Sequence, residues 1–265
     1  MNEQNNWTRK DLKWRAKEAF RKNYWAAVVV SLILAIVVAA GGKGAAQSGA
    51  DSVSSETSLY TDSYGAGSSF YGQMVKFMHS PLAVIIALVG ASAIVTIALI
   101  GVILHLFVGN VLEVGARSFY VENLYSTPGI GKIFSPFTSG SYGNVVKTMF
   151  FRDLFVFLWS LLFIIPGIVK SYEYKMVPYL MAEYPDMDRK EAFAKSREMM
   201  YGNKWKAFVL DLSFIPWDIL SGITIGIVGL FYVSPYKDAT DAELYDTLAS
   251  GMPGNGQQVY ENGTY

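Results

Sequence analysis

Between Pro81 and Leu112 the chain runs thirty-two residues without an Asp, Glu, Lys or Arg, and no other feature constrains its folding so tightly. A bilayer core of roughly 30 Å is crossed by about 20 apolar residues at ~1.5 Å rise each, so this stretch can cross once with residues to spare. The feature predicts an integral membrane protein. Composition agrees: 52% of the residues are hydrophobic and only 17% are charged, where soluble domains carry about 25% charge. The absence of cysteine excludes disulfides, thiol catalysis and the usual structural zinc sites. Two histidines, His79 and His105, leave little for any other histidine-based metal site.

The net charge of zero conceals an asymmetry. The first twenty-three residues hold seven basic side chains against three acids. Thr8 and Asp11 are spaced as a capping pair, and Leu12, Ala16, Ala19 and Phe20 share one face of the helix they open, opposite Lys10, Lys13, Lys17 and Arg21. This pattern predicts a basic amphipathic helix over residues 1–23, lying on an anionic inner membrane surface. Tyr24 to Ala40 follows as an apolar run, longer than the core of about 7–15 residues of a signal peptide, and reads as an anchor. Residues 41–80, rich in Gly, Ser, Tyr and Asp, read as an extracytoplasmic loop, because the basic excess before the anchor keeps the amino terminus in the cytoplasm.

Residues 24–250 are then expected to form a single transmembrane bundle. The span at 81–112 returns to the cytoplasm, with Ala83, Ala87 and Ala91 offering a close-approach face. Phe150 to Val169 is a third span, broken at Pro166 and Gly167, and Ile168 to Tyr184 a fourth. Asp188 and Glu191 read as the capping box of a cytoplasmic amphipathic helix over 188–201, stopped by Gly202. Lys204 to Leu220 and Ile223 to Val233 make a last helical pair around Ser221 and Gly222, with a single kinked helix as the competitor. Thr240 and Glu243 read as the cap of a third amphipathic helix over 240–249, and residues 251–265 as a disordered tail. The fold class is therefore all-α, a polytopic membrane bundle of about six transmembrane helices with cytoplasmic amphipathic helices.

Several segments together resemble an uncharacterised bacterial integral-membrane family, the domain of unknown function 975. The resemblance rests on Lys13, Ala16 and Lys17 before Asn23, Tyr24 and Trp25, and on Ile165-Pro166-Gly167-Ile168 followed by Tyr172 to Tyr179. It continues through Ser196 to Gly202, Leu212 to Ile215 with Trp217, and Pro235-Tyr236 with Tyr245. No single piece is specific, but their order is, and it runs over nearly the whole chain. The resemblance implies a bundle of about six helices and brings no assigned activity, so no catalytic residue is carried over. Pro216 and Asp218, either side of Trp217, depart from its pattern.

Candidate chemistry is confined to ionic side chains in apolar surroundings. Asp211 and Asp218 are seven residues apart, about two helical turns, which places both carboxylates on one face with the helix-breaking Pro216 between them. They suit a cation or proton path, or else the short helix leaves both near interfaces, or Asp211 pairs with a Lys or Arg of a neighbouring helix. Lys170 and Glu173 stand at i, i+3 and neutralise one another beside the break at Pro166 and Gly167, while Lys175 points elsewhere. His105, between Gly101 and Gly109 at four-residue intervals, suits hydrogen bonding to another helix. No catalytic set, cofactor site or metal cluster converges. The basic helices beside apolar spans point to anionic membrane lipids rather than nucleic acid, with a protein partner or second copy as a further expected contact. The reading is a non-catalytic scaffold or accessory protein of the plasma membrane; a small transporter or channel using Asp211, Asp218, Lys170 and Glu173 is the alternative.

Overall fold

The computed structural model describes residues 7–40 and 81–252. The loop expected at 41–80 with His79, nearly all of the expected tail, and the side chains of Ala83, Ala87 and Ala91 lie outside what it describes. Every regular element among the described residues is helical, so the all-α class holds. The chain divides into two compact units, residues 1–35 with 106–265, and residues 36–105.

In order the α-helices longer than one turn are α1 (Arg9–Lys22), α2 (Tyr24–Ala40), α3 (Pro81–Leu104), α4 (Asn110–Glu122), α5 (Tyr142–Leu162), α6 (Ile164–Glu173), α7 (Val177–Glu183), α8 (Arg189–Met199), α9 (Lys204–Leu212), α10 (Ile215–Ile223) and α11 (Ser234–Ser250). α3 belongs to the second unit. Its described side chains are apolar on every side and nearly all exposed, Ile94 at 70%. A helix this apolar on its exposed faces has the composition of a candidate membrane span.

Among the described residues one helical run, Leu88–Glu122, is long and apolar enough to cross a membrane. Arg9–Lys22 and Tyr24–Val37, bent by 101° at their junction, add a second if the pair counts as one span. This corrects the expected six spans, and proline supplies much of the reason. Pro166 is the third residue of α6, and Pro178, Pro216 and Pro235 are the second residues of α7, α10 and α11. In a first turn the amide proton has no intrahelical acceptor, so proline costs nothing there, whereas the helix upstream cannot run through it. Apolar stretches that read as continuous spans are thereby cut into helices of ten, seven, nine and nine residues in α6, α7, α9 and α10.

The expected fourth span illustrates the consequence. Residues 168–184 fall on α6 and α7, and Tyr174, Met176, Val177, Tyr179, Leu180 and Met181 are all buried in protein. α7 packs against α4, which also carries α11 and α5, so the core of the first unit gathers around Phe119, Tyr120, Tyr179 and Tyr245. The last two rings stack with centroids 5.1 Å apart.

The three amphipathic helices expected on the lipid surface turn their apolar faces to protein instead. Leu12, Ala16, Ala19 and Phe20 of α1 are buried, and α1 packs on α11. Thr8 caps α1 as predicted, accepting from the Asp11 amide at 3.2 Å. Ala192, Phe193, Ser196 and Met199 of α8 are buried; Asp188 caps that helix at the Lys190 amide (2.8 Å), and Gly202 takes the expected left-handed conformation at φ 74°. α11 starts at Ser234, six residues before the predicted cap, and Thr240 donates to the Tyr236 carbonyl inside the helix (2.8 Å).

One contact of α1 with α11 carries a pH dependence. Arg15 meets Glu243 at 3.1 Å and donates to Thr247 Oγ1 at 2.8 Å. Burial of the Glu243 carboxyl outweighs Arg15 and, with a smaller contribution from Asp246, pushes it up to about 7. The folded state therefore favours the protonated acid: this group's contribution is full below the ordinary carboxyl value near 4.5 and declines as pH rises to about 7. Glu243→Gln, which leaves Arg15 its bond to Thr247, is expected to flatten unfolding stability measured in detergent across that window. It should also raise stability at pH 8 by up to about 3 kcal/mol. An unchanged slope would refute the assignment.

Candidate functional site

Ionic side chains from five helices meet in the first unit. On α4, Glu113 takes both terminal nitrogens of Arg152 on α5 at 3.1 Å each, and Arg152 also holds Asp153 at 2.8 Å. One turn along α4, Arg117 bonds Asp238 of α11 at 2.7 Å and lies over the Tyr179 ring at 5.3 Å. Asp238 accepts from Ser31 of α2 at 3.0 Å, and Asn110 donates to Asp153 at 2.9 Å. Lys175, between α6 and α7, bridges Asp211 of α9 at 3.1 Å and Asp241 of α11 at 2.9 Å, and Tyr172 donates to Asp211 at 2.8 Å. Glu173 joins Lys170 at 2.7 Å to Lys204 at 2.6 Å. Cations and carboxylates nearly balance, each facing an opposite charge, the arrangement that makes partly buried ions tolerable.

The predicted site residues separate on this map. Lys170 and Glu173 pair as their spacing requires, and Lys175 does point elsewhere, to the Asp211 carboxylate. Asp211 and Asp218 do not share a helix face. α9 ends at Leu212 and α10 begins at Ile215, because Pro216 cannot return an amide to the Leu212 carbonyl. Asp211 is half-buried in the ionic cluster; Asp218 is exposed on the short apolar α10. His105 opens a single π-helical turn, His105–Gly109, and is half-buried. Glu113, Arg117, Asp238 and Asp241 were missed as partners. Asp238 and Asp241 stand at i, i+3 on α11, which hints at a shared face, but their partners lie far away in sequence and no local pattern selects them.

Two apolar hairpins project from this base. α5 and α6 pack antiparallel after a reversal at Phe163, whose backbone is extended (φ −155°, ψ 137°). The turn therefore precedes Pro166 and Gly167 rather than falling on them. Gly167 closes the arms: a Cβ there would stand 2.3 Å from Ser160 Oγ and 2.6 Å from Ser160 Cα. The second hairpin runs down α10, turns through Ile225 and Gly226 at φ 52° and 81°, and returns in a π-helical turn, Gly229–Val233. It too closes on a glycine and a serine, a Cβ on Gly229 falling 2.1 Å from Ser221 Oγ. Ile225 at its apex is 93% exposed, and a β-branched residue held left-handed costs about 1–2 kcal/mol.

Both hairpin turns lie inside residues 147–251, which match the family model described as protein of unknown function (DUF975). The match covers the motifs from Ile165 to Tyr245 and does not extend to the first 146 residues. No curated protein and no solved structure matches the chain.

Proposed function

We propose that this is an integral membrane protein of the plasma membrane with its amino terminus in the cytoplasm, acting as a non-catalytic scaffold or accessory protein. The carrying observation is a contrast between apolar and ionic surfaces. α3 exposes apolar side chains on all sides, a surface suited to lipid, whereas the ionic side chains of the helical base engage one another. Catalysis by acid and base needs a titratable group aimed at a substrate. In this base Asp211, the residue best placed for a proton or cation path, is engaged by Lys175 and Tyr172. The basic outer face of α1, with Lys10, Lys17, Arg21 and Lys22 exposed, supports attraction to anionic headgroups and a cytoplasmic orientation.

Two measurements test the reading. Protein in native membranes is expected to stay in the pellet through alkaline carbonate extraction; release into the supernatant would overturn membrane integration. Purified protein sealed into vesicles is expected to pass protons and monovalent cations no faster than empty vesicles. A flux abolished by Asp211→Asn would replace the scaffold by a transporter.

A further inference from the structure

We infer that the two hairpins turning at Phe163 and Ile225 are lipid wedges, which enter the leaflet nearest the ionic base and return without crossing the bilayer. The inference rests on the membrane reading above and names the partner of these surfaces: the acyl chains of a single leaflet.

Length decides the depth. From Asp153 to Phe163 is ten residues of α5 and its end, or about 15 Å at ~1.5 Å per residue. From the exposed Asp218 to Ile225 is seven residues, or about 10 Å. A hydrocarbon core of roughly 30 Å is thus entered to its middle by the first hairpin and less far by the second. The tips are as apolar as lipid requires: Leu161, Leu162, Phe163, Ile164 and Ile165 follow one another at the first turn, Ile165 being 75% exposed. Isolated exposed hydrophobes are ordinary on a soluble surface; a contiguous apolar tip with no protein over it is not.

The feet of both hairpins carry interfacial chemistry. Trp217 lies 5.5 Å from the Tyr232 ring across the second hairpin, and Tyr24 donates to the Phe231 carbonyl at 3.0 Å. That bond ties the returning arm to the first residue of α2, where Trp25 is 71% exposed and the apolar run of α2 begins. Aromatic residues with a polar edge settle at this level of a bilayer. At the first hairpin Lys170 stands 5.6 Å from the Trp159 ring, with a stem long enough to lie along apolar surface while its ammonium stays at Glu173. Trp205, 71% exposed at the start of α9, adds a further aromatic residue of this kind. The contacts of Gly167 with Ser160 and of Gly229 with Ser221 let each pair of arms close on itself, so neither needs a partner helix to stand.

The chain has no native cysteine, so single sites report cleanly. Phe163→Cys and Ile225→Cys, both exposed and outside the packed core, carry an environment-sensitive fluorophore in vesicles of anionic phospholipid. Leu99→Cys on α3 and Ser139→Cys on the base serve as references. Both tips are expected to lose fluorescence to nitroxides placed along the acyl chains, and, unmodified, to escape an impermeant maleimide from either side of sealed membranes that labels Ser139→Cys. Labelling of a tip from the side opposite Ser139 would show a full crossing and overturn the wedge. Labelling from the same side, or protection without quenching by lipid nitroxides, would place water or another protein over the tip and overturn it equally. Failure of the tips with Leu99→Cys still quenched sinks the wedge alone; failure of all three sinks the membrane reading.

Discussion

Lys175→Met is expected to destabilise the protein by about 3–5 kcal/mol, the range for removing one partner of a buried ion pair. Lys175 stands between two carboxylates, Asp211 on α9 and Asp241 on α11, so its loss leaves them facing each other in a poorly hydrated site without their shared cation. Methionine matches the length and apolar body of the lysine, which separates the electrostatic effect from loss of packing. Tyr172 still donates to Asp211, but one neutral hydrogen bond does not replace an ammonium. Thermal unfolding in detergent is expected to shift down by on the order of 10 °C. The triple variant Lys175→Met, Asp211→Asn, Asp241→Asn should recover most of the loss, since a site emptied of charge no longer holds an uncompensated ion. A single variant as stable as the parent would show that water reaches the cluster freely.

The parts of this architecture that sequence makes legible are those set by neighbours along the chain. The caps at Thr8 and Asp188, the left-handed Gly202 and the pairing of Lys170 with Glu173 each depend on residues within four positions, and each stands as its spacing dictates. Proline marks where an apolar run breaks but not how: Pro166 and Pro216 open the next helix rather than bending one through them. Short hairpins therefore look like spans in sequence, because an apolar stretch has the same composition whether it crosses or returns. The amphipathic faces of α1, α8 and α11 were legible, but their counterpart was not; a buried face looks the same in sequence against lipid as against Leu244 or Met181. The partners of Asp211 and Asp238 could not be read at all, since they sit on other helices, and an ion pair across such distances leaves no periodic trace.

Gly115→Ala is expected to cost about 3 kcal/mol or more, at the upper end for one added methyl in a packed interior. A Cβ on Gly115 would fall 1.8 Å from the Ile133 carbonyl oxygen, 2.6 Å from its carbon and 3.0 Å from its Cα, all backbone atoms that no rotamer change can move aside. The turn Ile130–Phe134 must therefore lift off α4, and what it holds lifts with it. Lys132 pairs with Glu122 at 2.5 Å, and upstream the Pro128 carbonyl accepts from Asn23 at 3.0 Å. Asn23 is the residue at which α1 and α2 turn by 101°, and its amide also donates to Asn123, which in turn donates to the Ala19 carbonyl at 3.1 Å. The bend that lets α1 lie on α11 while α2 leaves into its apolar run is thus clamped from the segment seated on Gly115. Gly143→Ala is the control, since a Cβ on that exposed glycine of α5 meets nothing within 4 Å and should be neutral or slightly stabilising. Proteolysis of folded protein in detergent is expected to cut the Gly115→Ala variant first around residues 124–134, ahead of the helical core. Equal melting temperatures for the two alanine variants would mean that the turn is not seated on α4 and that the corner at Asn23 is held by α1 and α11 alone.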